Sequence, residues 1–423
     1  MSCVVCFFRE AHQKHLKNNA FGIERFEKKL RKYKNDFIEG VRGIDSLSKC
    51  SCNSQYNHKG LVQWTDSFMG CLKQSESEIC YAFDQLISIY DDFIQKDQKT
   101  ATENLWLYLE DQDLLTSSEG ALTYTKLLFR ARPKSGTLNE NEIREYFHIP
   151  FSKRHLVGNQ RFSVSGQPML YFGSSVLAVA KELDKEPSEL AVAAFLPSYS
   201  EYYNAKIFSL TNHVSEVVEN SLPGIFEADC QLSYDDPHGS PNRSTIKKDV
   251  HRSVLMQVCT FPVEYRGSFV AEYAIPQMLT TALREHGYEG IYFPSTKNYS
   301  DLCGNHRFSS HHFNLGLFVP YDFAQDTNEV LLDKFATFVR DSGEENAISV
   351  DDVLNRCDEI TSRAKSSTHN NNDYLVPVCK LKLHIEYIKD ATINGCNYFE
   401  SDAGKIELDL YMKMANHLYF CIR

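Results

Sequence analysis

The chain has no Gly-x-Gly-x-x-Gly turn, no Gly-x-x-x-x-Gly-Lys-Ser/Thr loop and no His-Glu-x-x-His helix. Dehydrogenases, phosphate-loop nucleotide hydrolases and the common metalloproteases therefore have no sequence support. There is no internal repeat, which removes the solenoid and propeller architectures. Positive charge is in deficit: 45 Lys and Arg stand against 56 Asp and Glu, for a formal net charge of −11. A diffuse electrostatic grip on nucleic acid or an anionic membrane is disfavoured, and any polyanion site must be local. Long apolar runs are also scarce. The uncharged stretch over residues 163–180 approaches the length of a membrane span, but Gly166, Gln167, Pro168 and Gly173 break it into strand, turn and helix start. The opening run Met1-Ser2-Cys3-Val4-Val5-Cys6-Phe7-Phe8 leads into Arg9 and Glu10 rather than following basic residues, so no secretory leader is read there and a cytoplasmic location is expected, with no membrane partner.

What the chain does contain is the composition of a folded protein: 42% hydrophobic and 12% aromatic residues, including 27 Phe and 23 Tyr. Its 423 residues suit two or three domains. Thirteen cysteines, an odd number spread over the whole length, point to reduced thiols, some on a metal, rather than to a disulfide framework. Residues 1–70 read as a cysteine-pair unit, in which Cys3 and Cys6, a charged helix over residues 24–34, and Cys50 and Cys52 follow one another. Over residues 71–120, Ile79, Phe83, Leu86, Ile87, Tyr90 and Phe93 recur at helical spacing, and the segment reads as a helical spacer. Residues 121–322 change to short apolar runs broken by Gly, Pro, Ser and Asn, a mixed strand and helix pattern, with a turn-rich loop insertion near 233–246.

Residues 323–423 read as a mainly helical C-terminal extension. Leu331, Phe335 and Phe338 predict one amphipathic helix capped by Asp326 or Asn328, and Val353, Leu354, Cys357 and Ile360 predict another. Residues 366–373, with three consecutive asparagines, read as a link, and residues 406–420 as a segment that packs back on the body.

Arginines inside apolar runs carry most information about chemistry, because a buried guanidinium is costly unless a carboxylate or phosphate meets it. They occur in Leu128-Phe129-Arg130-Ala131-Arg132, in Pro150-Phe151-Ser152-Lys153-Arg154 and in Asn159-Gln160-Arg161-Phe162. The last run leads through Gly166-Gln167-Pro168 to Met169-Leu170-Tyr171. Ala178-Val179-Ala180-Lys181-Glu182 follows, and later Gly290-Ile291-Tyr292-Phe293-Pro294-Ser295, then Asn314.

In order and character these runs resemble the RES family across most of residues 126–320. By that match Arg130 and Arg161 correspond to the family arginines, Tyr171 to its tyrosine, Glu182 to its glutamate, Ser295 to its serine and Asn314 to its asparagine. The chain departs from many shorter members in having Arg161-Phe162 where they have Arg-Trp, and in the added stretch over residues 150–154, which resembles a longer subgroup. The resemblance implies an α+β core of the ADP-ribosyltransferase-like kind with a split β-sheet and helices. It also implies cleavage of the nicotinamide–ribose bond of NAD⁺ by hydrolysis or phosphorolysis, in a bacterial toxin or antiphage-defence effector partnered by an antitoxin or activator protein. NAD⁺ is then a substrate and inorganic phosphate a candidate acceptor, and a homo-oligomer is expected.

Elementary chemistry fits the same residues. Nicotinamide departs neutral and needs no acid, while the ribose left behind develops positive charge that a carboxylate such as Glu182 stabilises. Arg130, Arg161, Arg132 and Arg154 are candidates to fork onto phosphates. Tyr171 is placed to stack on nicotinamide, and Ser295 and Asn314 to hydrogen-bond its amide or the ribose. Transfer of ADP-ribose to a protein or nucleic acid uses the same chemistry and stays open. A reading of another class, a nucleic-acid or partner-binding module, rests on residues 24–34, where six basic residues face two acidic ones; a solvated helix face explains that run more simply, and nucleic acid is not expected as a partner. Taken singly, each site residue has a plainer role: an arginine in an ion pair, Glu182 as a solvated charge, Tyr171 in the core, Ser295 in a turn. Their joint order favours the site. For Cys3, Cys6, Cys50 and Cys52 the alternatives are structural zinc, with His12, His15 or His58 as substitute ligands, and four reduced thiols.

Overall fold

The computed structural model describes residues 2–52, 59–115, 127–198, 205–210, 243–265, 267–297, 302–303, 312–340, 348–367 and 371–422. The chain divides into two compact units, each assembled from several stretches: residues 1–116, 159–164 and 208–287 form the first, and residues 117–158, 165–207 and 288–423 the second. Each unit draws on three separate stretches, whereas composition suggested contiguous segments bounded at 70, 120 and 322. Amphipathic segments find partners by the faces they must bury, whatever their separation along the chain. Most of the loop expected near 233–246 lies outside the described residues, and the chain is helical from Arg243.

The first unit is helical: α1 (Val4–Phe8), α2 (Glu10–Asn18), α3 (Phe26–Arg42), α4 (Lys59–Gln74), α5 (Glu76–Gln95), α6 (Gln98–Asp111), α8 (Arg243–Cys259) and α9 (Ala274–Glu285). The segment read as a spacer is its centre. In α5 the predicted stripe Ile79, Phe83, Leu86, Ile87 and Tyr90 is buried, and the helix packs on α3, α6 and α8. Edge-to-face ring pairs tie the layers together, among them Phe7–Phe37 at 5.0 Å, Tyr33–Phe83 at 5.6 Å and Phe26–Phe261 at 5.6 Å. The basic run of α3 meets carboxylates inside the unit: Lys29 is buried between Glu264 (3.0 Å) and Glu272 (3.2 Å), Lys34 pairs with Asp84 at 2.7 Å, and Lys32 pairs with Asp36.

The second unit is α+β. Its seven-stranded sheet runs in the order β4-β5-β7-β2-β1-β3-β8, with β1 (Leu128–Pro133), β2 (Met169–Gly173), β3 (Leu190–Pro197), β4 (Ile207–Ser209), β5 (Gly290–Pro294), β7 (Phe313–Phe318) and β8 (Phe335–Val339). A small sheet joins β6 (Leu302–Cys303), β9 (Thr392–Ile393) and β10 (Cys396–Asn397). Helices α7 (Val176–Leu183), α10 (Glu329–Leu332), α11 (Val350–Ser366), α12 (Asn372–Ile388) and α13 (Asp402–Cys421) complete it.

The helix predicted from Leu331, Phe335 and Phe338 is corrected by this sheet. Asn328 does cap a helix by accepting from the Leu331 amide at 2.8 Å, but the helix ends at Leu332. Phe335-Ala-Thr-Phe-Val then pairs antiparallel with β3, Phe335 opposite Pro197. An aromatic and β-branched run beside an open strand edge gains a ladder of backbone hydrogen bonds that a short helix cannot offer.

The extension likewise proves to be core. On one sheet face Phe129, Ala194 and Val179 pack with Val353, Cys357, Ile360, Leu381, Tyr411 and Met414 from α11, α12 and α13. The other face packs Leu128, Leu170, Phe172, Phe195, Leu315 and Leu317 with Tyr146, Phe147 and Phe151. In α13, Glu407 occupies the apolar stripe and is fully buried. Its carboxylate accepts from the Val176 amide (2.7 Å), Tyr398 Oη (2.7 Å) and Tyr411 Oη (3.3 Å).

Candidate functional site

Helix α7 is delivered to the site by its N-terminus. Strand β2 ends at Gly173, and a Cβ there would lie 2.8 Å from Val179 Cγ1, so glycine lets the helix pack onto the strand. Ser175 caps the helix by accepting from the Ala178 amide at 3.0 Å, and Glu407 takes the Val176 amide at 2.7 Å, a carboxylate at the positive end of the helix. Glu182 then falls in the last turn. Asn314 stands opposite Gly173 in the β2–β7 ladder, on the sheet face that α7 packs against, and so reaches Glu182.

Glu182 Oε1 accepts two hydrogen bonds, from Ser295 Oγ at 2.8 Å and from Asn314 Nδ2 at 2.8 Å. Both donors are buried, Ser295 completely, whereas Glu182 is exposed. Ser295 is fixed in turn: its amide donates to the His312 carbonyl at 2.9 Å, and its Oγ accepts from the Lys297 amide at 3.3 Å. Lys297 Nζ pairs with Asp184 at 2.8 Å, a second tie between the end of α7 and the segment after β5. Among the described residues Glu182 Oε2 has no hydrogen-bond partner. The result is a carboxylate held in one orientation by neutral donors, with its second oxygen available to a ligand. Such a group accepts a hydroxyl proton or stabilises an adjacent positive charge. Ser295 and Asn314, expected to touch nicotinamide or ribose, here use their donors on Glu182.

The other expected residues are distributed more widely. Tyr171 is half-buried and shares the Glu182 face of the sheet, lying over Gly316, where a Cβ would stand 3.5 Å from its ring. Arg130 and Arg132 alternate onto the opposite face, since Phe129 pairs with Gly173 and the next residue points away. Arg130 donates to the carbonyls of Tyr171 (2.9 Å) and Phe147 (3.3 Å), and burial, with Arg132 nearby, pulls its guanidinium down to about 10. Arg132 pairs with Glu145 at 2.7 Å. Arg154 donates to the Gly166 carbonyl at 3.0 Å and lies 5.8 Å from the Tyr321 ring centroid.

Arg161 belongs to the first unit. There it donates to the carbonyls of Cys259 (3.1 Å) and Phe261 (2.7 Å) at the C-terminal end of α8. Lys17, which sequence reasoning passed over, serves the same helix end: it is buried and donates to Thr260 Oγ1 (3.0 Å) and the Thr260 carbonyl (3.4 Å). Two cations at a helix C-terminus satisfy leftover carbonyls and oppose the helix dipole. Burial pushes the Lys17 amine down to about 7. A charged residue at the buried spacing Gln13, Lys17, Ala20 was the available signal, as was Glu407 inside the stripe of α13.

Cys3, Cys6, Cys50 and Cys52 converge in the first unit, their Sγ atoms all within 4.8 Å of one another. Cys3–Cys52 is 3.5 Å, Cys6–Cys52 3.4 Å, Cys6–Cys50 3.7 Å and Cys50–Cys52 3.3 Å. Four thiolates at about 2.3 Å from a tetrahedral zinc stand about 3.8 Å apart, so this donor set fits a single metal ion and is compatible with structural zinc. Hydrogen bonding with Cys3 and Cys52 lowers the Cys6 thiol from its usual range, whereas that with Cys3 and Cys6 raises Cys52. His12 lies against Phe7, at 5.6 Å between ring centroids, rather than in the cluster.

Comparison with known proteins finds a distant similarity. The chain is 27% identical over 164 residues, 36% of its length, to a Bacillus subtilis (strain 168) protein named "Putative toxin YopC". It spans about a third of that relative's length, 33%. No family model matches the chain, and no solved structure matches it. Among the described residues, no helix is long and apolar enough to cross a membrane.

Proposed function

We propose that the protein is a toxin-like enzyme of the RES type that consumes NAD⁺ by cleaving its nicotinamide–ribose bond. The observation that carries the reading is the Glu182–Ser295–Asn314 constellation, in which residues from three separate segments fix one exposed carboxylate. The distant likeness to a protein named a toxin agrees with the biological half of the proposal.

In this reaction the bond between ribose C1′ and the nicotinamide nitrogen breaks, and its electron pair leaves with neutral nicotinamide. Positive charge spreads over C1′ and the ring oxygen. Glu182 Oε2 takes a ribose hydroxyl as hydrogen-bond donor and faces that developing charge, an effect worth about 3 kcal/mol. Water then adds to C1′ and releases a proton, giving ADP-ribose; inorganic phosphate in its place gives ADP-ribose-1-phosphate. Ser295 and Asn314 act through Glu182 by holding its rotamer, so little reorganisation is needed at the moment of bond breaking. Tyr171, on the same face, offers a ring for the departing nicotinamide. Arg130 and Arg132 are engaged by Tyr171, Phe147 and Glu145 on the opposite face and brace the strand in this reading, in place of a phosphate clamp.

The test is incubation of the purified full chain with NAD⁺, with and without phosphate, and separation of the products. Nicotinamide with ADP-ribose marks hydrolysis, and ADP-ribose-1-phosphate marks phosphorolysis. Intact NAD⁺ in both reactions, with folded protein, would overturn the proposal.

A further inference from the structure

We propose that Cys3, Cys6, Cys50 and Cys52 bind one zinc ion, and that this ion is the clamp that holds the first two helices in the first unit. The inference is independent of the NAD⁺ reading. Four cysteines from two stretches more than 40 residues apart, |i−j| = 49 for Cys3 and Cys52, bring their sulfurs into van der Waals range of one another. Thiols gain little from such crowding, and none of the four is oxidised to a disulfide. The separations, all within 4.8 Å, leave room for a single ion and not for an iron–sulfur cluster, whose terminal cysteines sit on different metals. An all-thiolate tetrahedral set with no open position is the pattern of a closed structural zinc site.

What surrounds the cluster explains why a clamp is needed. Helices α1 and α2 have only five and nine residues, and neither N-cap makes a side-chain hydrogen bond. Helices of that length do not persist in water by their own backbone bonds. The backbone link from the chain start to the cysteine-bearing stretch is the bridge of Ser2 to Ile44, with the Asp45 amide donating to the Ser2 carbonyl at 3.0 Å. Yet α2 must keep the Lys17 amine buried against Thr260, an arrangement that costs desolvation of a cation. Phe7 and Phe8 pack on Phe37 and Phe68, and four zinc–sulfur bonds joining Cys3 and Cys6 to Cys50 and Cys52 add a constraint to that packing, so that the free energy of metal binding becomes folding free energy for this end of the unit.

The full chain, expressed with zinc available, is expected to carry about one equivalent of zinc by elemental analysis. Cobalt in its place should give the absorption of a tetrahedral thiolate site. Cys6→Ser and Cys52→Ser should each lose the metal, whereas Cys71→Ser, in α4 and outside the cluster, should retain it. Because a cysteine variant could fail to fold, the wild-type chain provides the second arm: titration with a thiol-specific mercurial should release the zinc as about four thiols react. Removing the metal should raise amide exchange over residues 3–18 and 44–52 by at least about tenfold. Folded chain without metal after zinc supplementation, iron in the site instead of zinc, retention of zinc by Cys52→Ser, or unchanged exchange in those stretches after metal removal would each overturn the proposal.

Discussion

Buried charges of the first unit end on internal partners, whereas in the second a buried carboxylate, Glu407, anchors a helix whose far end carries an exposed one. Lys29 sits between Glu264 and Glu272, Lys17 ends on Thr260, and His251 lies between Tyr108 Oη (2.7 Å) and Glu78 (3.3 Å). Each is satisfied internally and presents nothing to a ligand. In the second unit Glu407 is equally buried, but its bond to the Val176 amide fixes the helix whose other end exposes Glu182. The difference separates polar groups whose partners are complete from one whose second oxygen has no partner among the described residues. A buried charge with a complete set of partners holds elements in place, while the proposed role of Glu182 uses the oxygen that Ser295 and Asn314 do not engage.

The largest expected effect tests that distinction at Glu182. Glu182→Gln keeps the shape and both donors' partner oxygen, so thermal stability should stay unchanged while NAD⁺ turnover falls at least about 100-fold, the scale of one charge-stabilising group. Turnover within about twofold of the parent would remove Glu182 from the mechanism. Next comes Glu407→Leu, which leaves the Val176 amide and two tyrosine hydroxyls without their buried acceptor. A loss of about 3 kcal/mol in denaturant unfolding is expected. Asn314→Ala and Ser295→Ala each remove one of the two bonds that orient Glu182, and kcat should drop about tenfold with KM nearly unchanged. A matching rise in KM would mean that these side chains bind substrate directly.

The first unit should instead answer in stability, with the same sign in two different pH windows for Lys17 and His251. Lys17 is pushed from its ordinary 10.5 to about 7, so between those values the unfolded chain holds a proton that the folded chain has released. Stability therefore rises with pH through that window, and Lys17→Met should flatten the rise in Tm measured from pH 7 to pH 10. The smallest effect belongs to His251, whose burial holds the imidazole below its usual 6.5. The unfolded state is protonated first as pH falls through 6.5, so His251 contributes stability above that value and loses it below. His251→Gln should remove that acid-side decline; an unaltered profile would show that another group causes it.

Much of the candidate site was legible before the fold was known. Glu182, Ser295 and Asn314 stood out through the resemblance of their runs to the RES family, and the cysteines through the Cys3-x-x-Cys6 spacing of a zinc half-site, which Cys50-x-Cys52 lacks. The pairing of Ser295 and Asn314 with Glu182 was not legible, since it depends on Gly173 standing opposite Asn314 in a ladder that no local pattern encodes. Nor was the fate of the arginines. Arg130 and Arg161 lie in apolar runs, as a phosphate ligand would, but backbone carbonyls at Tyr171, Phe147, Cys259 and Phe261 receive their guanidinium groups.

By itself the sequence determined the local periods: the helical stripe of α5, the stripe of Val353, Cys357 and Ile360 in α11, and the apolar strands. These depend on neighbours a few residues apart, where side-chain spacing alone decides which face is apolar. The tertiary structure decided that the supposed spacer and extension are the centres of two discontinuous units, and that Phe335–Val339 is a strand. It also decided which charged residues are buried against internal partners, as Lys17, Lys29 and Glu407 are. Those outcomes depend on partners far away in the chain, and a buried charge takes its meaning from the group that meets it.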